Sequence, residues 1–219
     1  MMRFVLALSM LLAGGCSRPS GSEAPSTQAQ SAVASDDAVP LPGKLKFKDA
    51  DDRERFSLKP KDDGSKLVDG EDRELARLKW KGATLKVSSP EDVPLGYVLG
   101  SSGGAFIVRD GAQKQVLYTL ARQGAGWMLT GAKGEVLYTV SADGDGARIQ
   151  DASGAEVARV KVREGKVSLK DPSGKTLLAT KSLVNADAAA CLAFEKMDLP
   201  FRVALLHQLQ TPPSSGSSP

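Results

Sequence analysis

Val116-Leu-Tyr-Thr-Leu120 returns twenty residues later as Val136-Leu-Tyr-Thr-Val140. A fixed period of that length constrains the fold more than any single motif, because it fits two short strands and two turns. The same unit runs through the whole middle of the chain. Successive copies begin near Lys44, Ser65, Thr84, Ala105, Trp127, Ala147 and Lys166. Each holds an alternating strand, a turn rich in Asp, Gly, Ser and Lys, a second strand and a Gly-containing return. Asp110-Gly-Ala-Gln113, Gly131-Ala-Lys-Gly134, Asp151-Ala-Ser-Gly154 and Asp171-Pro-Ser-Gly174 have hairpin chemistry. Gly there supplies positive φ, and Asp folds its side chain onto the turn. The expectation is a mainly β fold: about seven successive antiparallel hairpins, up to fourteen strands, forming a barrel or curled sheet closed by a hydrophobic C-terminal helix.

Alternation assigns the faces, since successive side chains of a strand point to opposite sides. Ala158, Val160 and Val162 share one face, and Arg159, Lys161 and Arg163 the other. Leu45 and Phe47 alternate with Lys44, Lys46 and Lys48. Ala76, Leu78 and Trp80 alternate with Arg77, Lys79 and Lys81, and Val167 and Leu169 with Lys166, Ser168 and Lys170. The outward positions are therefore mainly basic. Such a face suits anionic lipid or envelope polymer, and it also keeps strand edges from pairing between molecules. Arg159, Lys161 and Arg163 are the candidate binding residues. Phe106-Ile-Val108 and Val116-Leu-Tyr-Thr-Leu120 are apolar on both faces, so a second layer is expected over them.

The C-terminal segment is the natural cover. Ala186 to Lys196, opening after Asn185, reads as one helix. Asp198 is placed to cap a second, with Pro200 acceptable in its first turn. There Phe201, Leu205 and Leu209 stand at i, i+4 and i+8, broadened by Val203 and Leu206. Many antiparallel strands followed by one hydrophobic C-terminal helix resemble the tubby-like group, which includes LURP-one-related proteins and phospholipid scramblases. The resemblance covers about residues 44–210 and rests on element order. It implies a closed barrel around the helix and transfers no functional residue. The strand count exceeds the twelve of that group, and an open meander with a helical cap is the structural alternative.

The N-terminus has its own signature. Met1-Met2-Arg3 precedes ten apolar residues, Phe4 to Ala13, and then Gly14-Gly15-Cys16. Ten residues are too few to span a bilayer, which needs about 20, so the run reads as a secretion signal. The small-small-Cys ending resembles a bacterial lipobox, although Ala13 stands where that pattern prefers Leu. The resemblance implies a lipoprotein signal peptide over 1–15, with Cys16 the acylated, membrane-attached residue of the mature chain. Residues 16–43 then form a Ser/Pro/Ala-rich tether, 44–210 the β domain with its C-terminal helices, and 211–219 a tail. As a coil the tether would reach on the order of 30 Å. By the same resemblance, Ser17 rather than Asp after the cysteine implies the outer membrane, so the domain is expected to face the periplasm or the surface of a bacterial envelope.

Charge and composition then narrow the function classes. Residues 44–210 carry all the Lys and Arg except Arg3 and Arg18, and all the acids except Glu23, Asp36 and Asp37, a net of about +4. This is far from the basic stripe of a nucleic-acid binder. With Cys16 acylated, Cys191 is the remaining thiol, and Ala188-Ala-Ala-Cys-Leu-Ala-Phe194 suggests a small buried hydrophobe. One histidine and one thiol do not assemble a metal site, and no cofactor is expected. Gly100-Ser-Ser102-Gly-Gly104 satisfies the hydrolase elbow pattern, but strands on both sides make it a hairpin turn rather than a strand-to-helix turn. Asp143-Gly-Asp145 lacks the later ligands of a calcium loop. Asp51-Asp52, Asp62-Asp63 and Glu71-Asp72 read as solvated turns. The expected protein is a non-catalytic, membrane-anchored envelope lipoprotein that binds an envelope component or a partner protein. The alternatives are an envelope hydrolase acting through those acids, and self-assembly through edge strands.

Overall fold

The computed structural model describes residues 43–210, so Cys16, the signal segment, most of the tether and the 211–219 tail lie outside the described residues. Fourteen strands follow in order: β1 Leu45–Lys48, β2 Glu54–Lys61, β3 Gly64–Asp69, β4 Glu74–Lys81, β5 Thr84–Ser88, β6 Pro94–Gly100 and β7 Phe106–Asp110, then β8 Val116–Gln123, β9 Gly126–Gly131, β10 Val136–Asp143, β11 Gly146–Asp151, β12 Glu156–Arg163, β13 Lys166–Lys170 and β14 Thr176–Thr180. Each pairs antiparallel with its sequence neighbours, and β1 meets β14 to close a barrel. The expected mainly β architecture is observed, and the open-sheet alternative is not.

The two rims are built differently. At one, two-residue turns such as Glu164-Gly165 join the strands, with φ of 50° and 72°, the paired positive values of a twist-matched hairpin turn. At the other, an Asp opens most of the turns and folds back on them, with Ser89 and Gly131 in its place at two. The Asp151 carboxylate accepts from the backbone N–H of Ser153 at 2.8 Å and of Ala155 at 3.1 Å. Asp49 and Asp69 hold Arg53 and Arg73 in the same way. Every turn of this second rim is followed by a break in register, for example between Ile149 and Gln150 and between Leu169 and Lys170. The residues skipped by these bulges are Arg55, Leu75, Leu95, Leu117, Leu137, Val157 and Leu177. The twenty-residue repeat is thus a repeat of bulged hairpins, and the bulges add the local twist that helps a sheet curl.

Fourteen strands enclose more space than side chains from the wall can fill, because barrel diameter grows with strand number. Two helices occupy it: α1 Ala186–Ala190, followed by a 3-10 turn Cys191–Ala193, and α2 Leu199–Gln210. The chain enters the lumen from the tight-turn rim, descends through α1, reverses near the bulged rim and returns as α2. On the way, α1 packs against β11, β12 and β13, and α2 against β4, β5 and β6. Wall residues facing them are small or branched: Ala76, Val87, Val98, Ala147, Ala158 and Val160, all buried. At Gly96 even a methyl group is excluded, since a Cβ there would lie 2.8 Å from the Phe201 ring.

Three expectations about this region need correction. The first helix stops well short of Lys196. Phe194 takes φ −78° and ψ 67° and stacks on Tyr138 at 5.3 Å, which turns the chain toward Asp198. The second helix has no single apolar stripe: Phe201 and Val203 to Gln208 are all buried, because wall and α1 surround it. Finally, the helices cover only the inner face of β7 and β8. Ile107 and Thr119, opposite each other in register, stay half-buried on the outside.

Several polar groups in the lumen are matched to backbone. Gln208 Nε2 donates to the Val98 carbonyl at 3.3 Å, and Arg202 Nη1 to that of Leu192 at 2.9 Å. The Tyr118 hydroxyl donates to the Lys196 carbonyl, and the Lys196 N–H donates to the Tyr138 hydroxyl. Cys191 is buried, as its apolar setting predicts, and burial pushes its thiol pKa up.

Candidate anion-binding wall and cleft

Register places Arg159, Lys161 and Arg163 together on the outer face of β12. Their charges are unequally compensated. Arg159 Nη2 donates to Glu156 at 2.8 Å, and its Nε lies 3.4 Å from Asp143. Lys161 lies 3.2 Å from Asp143, and Arg148 on β11 reaches Glu156 at 3.3 Å. Three cations therefore share two carboxylates. The Lys161 side chain is the main reason that the Asp143 carboxyl sits below its usual range. Arg163, exposed at the β12–β13 turn, makes no ion pair among the described residues, and it faces Lys166 across the hairpin.

From Lys166 the positive surface continues around the closure of the barrel. Between β1 and β14 lies a cleft of about 640 Å³ lined by Lys44, Lys46 and Lys48 on one side and by Lys166 and Lys181 on the other, with Thr176, Ala179 and Thr180 beneath. Its acids are Asp49 and Asp52. Asp49 is already engaged by Arg53, and Asp52 by Lys48 at 2.8 Å. The hydrogen bond from Lys48 is the largest cause of the lowered Asp52 pKa, and Lys181 and Lys166 add to it through space. Lys46 is taken by Glu54 at 2.8 Å. Lys44, Lys166 and Lys181 make no ion pair among the described residues. A volume of this size is in the range of ligand sites, and clustered cations above a low-dielectric wall focus field on an approaching anion.

This cleft escapes a reading along the chain because its walls come from the first strand and the last hairpin, more than 100 residues apart in sequence. The available signal is the Lys44-Lys46-Lys48 alternation on the opening strand, which matters only once closure is assumed.

The remaining chemical candidates fall on turns. Gly100 to Gly104 spans the β6–β7 connection, where Ser101 Oγ accepts from the Ala105 N–H at 3.2 Å. Asp143 ends β10 and Asp145 lies in the β10–β11 turn. Asp51-Asp52, Asp62-Asp63 and Glu71-Asp72 lie in or beside the turns after β1, β2 and β3. Among the described residues no group of three or more His, Cys, Asp or Glu side chains could hold a metal ion, and no helix is long and apolar enough to cross a membrane.

At the tight-turn rim a separate cluster fastens α1. The Trp127 Nε1–H donates to Asp187 at 2.9 Å. Arg122 lies 3.6 Å from the same carboxylate and 4.0 Å over the Trp127 ring. Its geometry is that of a latch between helix and wall.

No family model matches the chain, and no curated relative does. Among solved structures, an X-ray structure of a protein from Arabidopsis thaliana is similar at a TM-score of 0.40 and 15% identity, over 71% of this chain and 90% of that one.

Proposed function

We propose that the chain is a lipid-anchored protein of a bacterial envelope whose barrel binds an anionic envelope component or partner protein and carries out no catalysis. The observation that carries this reading is the uneven outer wall. Arg163, Lys166, Lys181 and Lys44 gather around the closure without carboxylate partners, whereas Arg148, Arg159 and Lys161 next to them are held by Glu156 and Asp143. Uncompensated cations grouped on one face raise the local concentration of anions and speed encounter. Anchoring through Cys16 would hold that face within a tether's reach of anionic headgroups. A barrel enclosing a hydrophobic C-terminal helix supports kinship with the tubby-like group, while fourteen strands instead of twelve mark a departure from it.

The test uses the full-length chain and vesicles with or without anionic lipid. Association should fall as salt rises, and the Lys44→Ala/Arg163→Ala/Lys166→Ala/Lys181→Ala variant, which removes the four cations without carboxylate partners, should lose most of that salt dependence. An unchanged salt dependence in this variant would remove the basic closure from the reading. Labelled palmitate should enter the wild-type protein and not the Cys16→Ser variant.

A further inference from the structure

We propose that the β1–β14 seam accepts an added strand from a partner: an extended polypeptide segment in which acidic residues alternate with small ones. The proposal rests on the binding reading above and assigns it a place and a partner chemistry.

The seam is the one join of the barrel that is barely made. β2 and β3 are matched over six residue pairs, β8 and β9 over six, and β12 and β13 over five. β1 and β14 meet at a single pair, Lys48 with Ala179. Leu45, Lys46 and Phe47 on one side, and Thr176, Leu178 and Thr180 on the other, thus have no partner across the seam in the ladder. Main-chain donors and acceptors along such edges are a template for another strand, and strand addition to a free edge is a recurring mode of peptide recognition.

The side chains specify what the strand would carry. Lys46 and Lys48 sit at alternate positions of β1 and Lys44 just ahead of it, each about 7 Å from the next. Alternate residues of an added strand have the same spacing, so acids at every second position would face this row, with Lys166 and Lys181 opposite. The intervening side chains would point at the lumen, which Leu45, Phe47 and the helices already fill. They must therefore be small. Ala179, Thr176 and Thr180 along the seam leave room for a backbone to approach closely. A bare anion would satisfy the lysines and leave the strand edges unused.

The probe is a fluorescent (Glu-Ala)₄ peptide titrated against the full-length chain, together with the same peptide N-methylated at alternate residues. The unmodified peptide should bind, and Lys166→Glu/Lys181→Glu should weaken it at least tenfold. N-methylation removes backbone donors without touching the charges and should weaken binding to a similar extent. Lys48→Cys/Ala179→Cys places thiols at directly opposed positions, whose spacing suits a disulfide. Oxidation of that variant should close the seam and abolish binding, with reduction restoring it. Lys114→Ala/Lys133→Ala, which removes two exposed turn charges away from the wall and the cleft, should bind the peptide within twofold of wild type. Equal binding of the N-methylated peptide would overturn strand addition. Peptide binding that appears only in Asp36→Asn/Asp37→Asn would show the seam taken by the chain's own segment and overturn the partner assignment. Failure to bind the peptide while salt-dependent vesicle binding persists would sink the seam proposal and leave the binding module standing; loss of both would remove the two together.

Discussion

His207 gives a pH dependence whose sign and size follow from its place in the lumen. It is the single histidine of the chain and is fully buried on α2, with its ring 5.7 Å from that of Trp80. Burial lowers its pKa from 6.5 to about 4, only partly opposed by a backbone hydrogen bond. The folded protein therefore holds a neutral imidazole at pH values where the unfolded chain is protonated. Between pH 6.5 and 4 the unfolded state binds more protons, so stability is full above 6.5 and falls as pH drops through that window. At about 1.36 kcal/mol per unit, the whole window is worth about 3 kcal/mol. Going from pH 7 to 4.5 should cost about 2.5 kcal/mol by this route. The assay is urea unfolding of wild type and His207→Gln at both values. Carboxylate effects are common to the two proteins, so the difference of differences isolates the imidazole. An equal pH response in the two proteins would refute the buried, neutral histidine, as would an NMR titration of His207 near 6.5 in the folded state.

Other consequences are more local. Gly96→Ala would press a methyl group against the Phe201 ring and the Arg109 carbonyl; chemical denaturation should show a loss of about 1–3 kcal/mol, typical of overpacking. Asp187→Ala strands the buried Trp127 N–H and releases Arg122. It should cost about 1–3 kcal/mol, and Asp187→Asn, which keeps an acceptor, should cost less in the same assay. In a Cys16→Ser background, Cys191 should resist a thiol reagent in native buffer and react fully in urea, because it is buried with a raised pKa; fast native labelling would mean that the helices leave the lumen readily.

Strand positions were readable from sequence because they depend on local chemistry. The unit starts near Ser65, Thr84, Ala105, Trp127, Ala147 and Lys166 fall within about one residue of the observed strands, since turn residues such as Asp151 and Gly154 act within five positions of each other. The inward and outward assignments of Ala158 to Arg163 held for the same reason. What depends on three-dimensional neighbours was not readable. The end of α1 is set by Phe194 meeting Tyr138, 56 positions earlier in the chain. Burial around the whole of α2 comes from β4, β5, β6 and α1 together, so the burial of Gln208 and His207, which lie off the Phe201, Leu205 and Leu209 stripe, depends on the wall. The cleft shows the same limit. Lys44 and Lys181 become neighbours only when the barrel closes, and nothing local to either announces it.

The barrel is filled by the helix inside it, which leaves the outer wall and seam exposed. Native-state amide hydrogen exchange on the full-length chain tests this most directly, read at Phe201 to Leu209. With α2 enclosed on all sides, those amides should be among the slowest in the protein, opening only with global unfolding, and the Thr176 to Thr180 seam strand should exchange much faster. Exchange of the α2 amides within seconds would contradict the account, because a helix that leaves its barrel so easily cannot be what fills it.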